Sequence, residues 1–182
     1  MEEQDQDQRA MRLIQQLGQL AAAIPPATGS DPHPVIAIDG KAMLEHVPIY
    51  WLVSRAGTLE DQSLVQRLVV YGDVGAMKGL LEERGVTVAT SDVGGIANDR
   101  PEVLARAIDQ MTPAPTRVIV WGASAMAQGL GPILSRRMTI ERLDPEAAGL
   151  LDILRALGVP QSALDAVNAA GMEENITLLY QA

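Results

Sequence analysis

The sequence has no cysteine and no phenylalanine, and its 182 residues include only two histidines, two tryptophans and three tyrosines. Without cysteine there can be no disulfide and no thiolate-bound metal. A chain of this length does not need either, because it can bury a substantial apolar core. So few aromatic rings make a base-stacking platform hard to build. Basic residues are also scarce: 14 Lys and Arg stand against 23 Asp and Glu, for a net charge of -9. Nucleic-acid affinity comes largely from neutralising phosphates, so this balance disfavours a nucleic-acid partner. The only adjacent basic pair, Arg136-Arg137, reads as a solvated helix end. No apolar run approaches the ~20 residues of a membrane span. The acidic start MEEQDQDQ is unlike the basic start of a signal peptide. The expectation is a cytoplasmic protein with no membrane partner.

What is present is a regular alternation of strand and helix. Residues 9–24 place apolar side chains at 10, 13, 14, 17, 20, 21 and 24, which is helical spacing. PPATGSDPHP then breaks the helix and contains His33, one of the two histidines. The tethered helix either packs on its own domain or docks on a partner or a second copy. Strands are expected at 35–39, 67–71, 85–89, 117–121 and 138–142. A helix through roughly 43–55 would hold Pro48 in its first turns, although Tyr50-Trp51-Leu52-Val53 also fits an extended segment. Another follows Asp73 as N-cap and stops at Gly85. SDVGGIANDR is a Gly-rich loop before a helix at 101–111. A helix from 124 is broken near Pro132. Five strand–helix alternations imply a doubly wound parallel α/β sheet. Right-handed crossovers favour the order 3-2-1-4-5. After 143, Asp144 is expected to cap a helix ending before Gly158, and Pro160 to start a second. ENITLLYQA reads as a closing strand. The organisation is an N-terminal helix and Pro-rich linker (1–34), an α/β domain (35–143) and a C-terminal helical extension (144–182).

Ligands of doubly wound sheets sit where the strand order reverses. Here that point lies between the first and fourth strands, placing Asp39 beside Gly122, Ala123, Ser124 and Ala125. The common phosphate motifs are absent: there is no G-x-x-x-x-G-K-[ST] and no G-x-G-x-x-G after a strand. G-A-S-A-M is not a nucleophile elbow, because Met126 stands where glycine is required. A Ser124–His46 pair is one conceivable arrangement. An anion on the backbone amides of 123–125 is another, since helix N-termini attract negative charge.

The segments IDGKAML, RLVVYGD, GLLEERGVTV, VLARAIDQM and VIVWGASAM, in this order, resemble an NYN domain of the PIN-like ribonuclease superfamily over about 35–143. The resemblance implies a metal-dependent nuclease site of clustered carboxylates at strand ends. Asp39 and Gly40 match the family's first motif, with Ala42 where its Asn belongs. Asp109 matches the later acidic position of the third helix, while Val103 fills the earlier one and Glu102 is its neighbour. Where the family has G-D-S-D, this chain has Gly122, Ala123, Ser124 and Ala125.

Two-metal hydrolysis needs several carboxylates to hold cations and offset leaving-group charge. Mg²⁺ or Mn²⁺ could be held here only by Asp39, Asp109 and Glu102. Asp99 and Glu102 also fit a capping box, and Asp39 could accept backbone N–H groups at its strand end. Asp109 falls in the last helical turn, where the dipole disfavours negative charge. The primary expectation is a catalytically degenerate NYN/PIN-like domain acting as a binding or assembly module. Its partner would be a protein or a second copy engaged through the N-terminal helix. The alternatives are a weak metal-dependent ribonuclease using Asp39 and Asp109, and a small-molecule or nucleotide binder at loop 122–126.

Overall fold

Five short apolar segments build the centre of the molecule. The computed structural model describes residues 2–25, 34–72, 74–89, 100–111 and 115–181. Strands β1 (Val35–Asp39), β2 (Leu68–Tyr71), β3 (Thr87–Ala89), β4 (Arg117–Trp121) and β5 (Thr139–Leu143) form one sheet. All pairings are parallel and the order is β3-β2-β1-β4-β5, as the alternation pattern predicts. The three central strands read VIAID, LVVY and RVIVW, near-continuous apolar runs suited to burial on both faces. The edge strand β5, TIERL, is largely exposed and carries charge.

Successive residues of β1 serve opposite faces. Ile36 and Ile38 join a core with Trp51, Leu81, Trp121 and Ile153. Val35 and Ala37 join a second one with Leu104, Ile108, Met126 and Leu130. Helices α1 (Glu2–Ala22), α3 (Val47–Ala56), α4 (Met77–Glu83), α7 (Leu150–Ala156), α8 (Gln161–Ala169) and α9 (Met172–Gln181) contribute to the first face. Helices α5 (Pro101–Asp109) and α6 (Ser124–Leu130) cover the second. Short α2 (Gly40–Leu44) links β1 to α3. The first core draws on residues before 34, between 35 and 143, and after 143, so all three sequence segments share it.

Several helix ends follow local chemistry. Gly85 and Gly158 adopt φ of 84° and 101° just past α4 and α7, a region where a Cβ is strained. Pro48 and Pro101 occupy first-turn positions, where a missing N–H costs nothing. Past α6, Pro132 sits in a short 3-10 turn at Gly131–Ile133. Arg100, not Asp99, is the N-cap residue of α5, and no side chain caps it. Asp73, Asp99, the linker 26–33 with His33, and loop 90–99 lie outside the described residues.

Two expectations for the C-terminal segment need correction. Asp144 does not cap α7. Its Oδ1 accepts the N–H of Glu146 in a separate turn, and Gly149 is the N-cap, its N–H donating to Asp152 Oδ2 at 2.9 Å. The final segment is the helix α9, not a strand. Met172 and Ile176 are buried one helical turn apart, and Leu179 is half-buried on the same side. Ile-Thr-Leu-Leu-Tyr looks like strand composition, but packing against α1, α3 and α8 decides the outcome.

Of the two arrangements open to the N-terminal helix, the structure has the intramolecular one. Leu13, Leu17, Leu20 and Ala21 are buried, and α1 packs against α8 and α9. Within the chain, the apolar stripe of α1 is covered by its own C-terminal helices. Arg67 holds the same junction from below. It is 4% exposed, and its guanidinium donates to Leu157 O at 3.1 Å and to Pro25 O at 3.5 Å. Burial pushes its pKa down to about 10.

Candidate functional site at the carboxyl edge of the sheet

The strand register lines up three residues across the carboxyl edge. Asp39 is paired with Tyr71, and Ile38 with Trp121, so Asp39 lies between Tyr71 and Gly122. The expected juxtaposition of Asp39 with the 122–125 loop is present. Its interior, however, is filled. Gly122 is buried, and a Cβ built there would meet the Tyr71 hydroxyl and lie 3.1 Å from Asp39 Cβ. The glycine that ends β4 thus makes room for a tyrosine reaching across β1 from β2. Its N–H donates to Leu143 O at 3.2 Å, and its carbonyl accepts Arg142 Nε at 2.9 Å. Gly40 has a similar role, since a Cβ there would lie 3.0 Å from Tyr71 O and strike Val74.

Asp39 is committed to the backbone. As N-cap of α2, its Oδ1 accepts the N–H of Lys41 at 3.0 Å and of Ala42 at 3.4 Å. Asp109 is not beside it. It is the last residue of α5, and its carboxylate accepts the Ser135 N–H at 3.3 and 3.2 Å. Ser135 lies in the segment leading to the amino end of β5, whereas Asp39 ends β1 at the carboxyl edge. Asp109 and Asp39 therefore occupy opposite edges of the sheet. Its awkward position at a helix C-terminus is explained by this bond to the following connection. Glu102 is exposed in the first turn of α5, seven residues and ~10 Å of helix rise from Asp109. The proposed set of Asp39, Asp109 and Glu102 does not converge. Among the described residues, no three His, Asp or Glu side chains are grouped to hold a cation. The residues placed here do not fit a Mg²⁺ or Mn²⁺ centre.

The Ser124–His46 pair is also not formed. Ser124 opens α6, which packs on the second face of the sheet. His46 stands edge-on to Trp121, which belongs to the first face, with ring centroids 5.6 Å apart. Its Nδ1 is buried without a hydrogen-bond partner among the described residues. Trp121 is held in turn by its Nε1 donating to Ala148 O at 2.9 Å. Ala123, Ser124 and Ala125 are exposed and offer one hydroxyl and no charge.

Sequence reasoning did not pick out Tyr71 and Arg142. Tyr71 shares the parity of Val69 in β2, which places it on the same face as Asp39. Arg142 lies on an edge strand next to the switch point. Comparison of the chain with protein-family models, curated proteins and solved structures gives no significant match. Among the described residues, no helix is long and apolar enough to cross a membrane.

Proposed function

We propose that this chain is a catalytically degenerate NYN/PIN-like domain that serves in the cytoplasm as a binding or assembly module. One observation carries the reading: at the switch point, Asp39 caps α2 while Gly122, packed against Tyr71, leads into a loop of Ala123, Ser124 and Ala125. A hydrolytic centre of the resembled type needs carboxylates that converge and are free to bind cations. Among the described residues of the row one carboxylate is present, and its Oδ1 accepts two backbone N–H groups. The resemblance in segment order supports the kinship. The lost aspartates at 123 and 125 support the loss of chemistry.

The test is RNA hydrolysis by the full chain in Mn²⁺, compared with Asp39→Asn. Asparagine caps a helix about as well as aspartate, so the variant removes charge and keeps the fold. The expected result is no metal-dependent cleavage in either protein. Cleavage by the wild type that Asp39→Asn abolishes would overturn the reading and restore the ribonuclease alternative.

A further inference from the structure

Two arginines of α1 stand beside a cleft without a counter-charge. The cleft holds about 250 Å³ between α1 and α9, and is lined mainly by Asp5, Arg9, Arg12, Leu13 and Gln16 of the first helix and Asn175 of the second. Residues 5, 9, 12 and 16 follow the three- and four-residue spacing of one helical stripe, which brings their side chains to the same cleft. Arg9 and Arg12 make no ion pair among the described residues, and Arg9 is unpaired even with Asp5 one turn before it. Two guanidiniums against one carboxylate leave local positive charge in a chain of net charge -9.

A second observation comes from the other end of the stripe. Gln16 Oε1 is buried and accepts no hydrogen bond among the described residues. Buried acceptors are almost always paired, because an unmade bond leaves the whole cost of desolvation. Asn175 already directs its Nδ2 to Ala170 O at 3.4 Å. Along the helix axis, Gln16 lies ~6 Å beyond Arg12, and Asp5 lies ~10 Å before it. An anion is therefore favoured toward Arg12, away from Asp5 and within reach of Gln16.

We propose that this cleft binds a small hydroxylated anion. Its carboxylate or phosphate is held by Arg9 and Arg12, and one of its hydroxyls donates to Gln16 Oε1. Guanidinium groups match either oxyanion with paired N–H donors. The hydroxyl supplies the one donor that the fold leaves wanting at Gln16. Buried Leu13 adds an apolar wall for the carbon skeleton. None of these residues belongs to the switch point, so the site is separate from the missing chemistry there.

The test is calorimetric titration of the full chain with glycerol 3-phosphate and with glycerate. These probes share hydroxyls and differ in the anionic group, so the tighter of the two identifies the preferred oxyanion. Glycerol is the uncharged control, and sulfate is the anion without a donor. Saturable binding is expected for at least one of the hydroxylated anions, with none for glycerol, and added salt should weaken it. Arg12→Gln should weaken that binding on the order of tenfold. Gln16→Leu should weaken it by a similar factor while leaving the weaker binding of sulfate unchanged. Arg12 is exposed and Gln16 half-buried, and circular dichroism checks that both variants keep the fold. No saturable binding of either hydroxylated anion overturns the proposal. So does binding that either substitution leaves unchanged. The RNA assay above reads the switch point alone, so failure there and failure here are distinguishable.

Discussion

At position 122 a single methyl group decides whether three strands can meet. Gly122 lets the Tyr71 phenol lie across Asp39 toward β4, and a Cβ there would crowd both neighbours. Overpacking of a close-packed site forces its surroundings to shift. Gly122→Ala should therefore lower unfolding stability by ~1–3 kcal/mol in urea. Combining it with Tyr71→Phe should recover part of that loss, because the hydroxyl is the first atom met. Strict additivity of the two changes would show that the crowding lies elsewhere. The small-residue loop was legible in the sequence, but the reason for its glycine was not. That reason depends on which strands are neighbours and which face Tyr71 takes, and neither is local information.

At the scale of elements, the N-terminal helix is divided in two. Its second half carries Leu13, Leu17 and Leu20 into the first core, and its first half carries charge and Met11 into solvent. Leu17→Ala removes a fully buried side chain and should cost ~2–4 kcal/mol. Met11→Ala should change stability by less than ~0.5 kcal/mol. Chemical unfolding of both variants checks the division, and equal losses would contradict it. The apolar spacing of residues 9–24 was enough to predict this helix, and strand–helix alternation was enough to predict the sheet order. The partner of the helix was not legible, since a stripe that fits a second copy equally fits α8 and α9. The segment at 174–182 was misread for a related reason. Ile176, Leu178, Leu179 and Tyr180 favour strand on composition, and only the burial of Met172 and Ile176 on α1 and α3 makes it helical. Asp144 shows the limit of capping rules, because an Asp-Pro pair also begins a turn.

At the scale of the whole molecule, a doubly wound sheet provides a switch point, and in this chain Tyr71 packs against Gly122 there. Fold alone does not give function, so the reading stands on the residues at that point. Asp39 holds a helix start, Asp109 bonds a connection at the opposite edge, and Tyr71 occupies the space between β2 and β4. A net charge of -9 attracts divalent cations diffusely, so a site must be distinguished from an atmosphere. An ion that binds only the folded state raises its stability by mass action, and a diffuse atmosphere does so without dependence on one carboxylate. The most direct measurement is thermal unfolding of the full chain in chelator and in rising Mn²⁺, with Asp39→Asn alongside. The account predicts that wild type and variant respond to Mn²⁺ alike, with at most a small common rise in midpoint. A saturating rise of several degrees in the wild type that Asp39→Asn removes would reveal a working metal centre and contradict it.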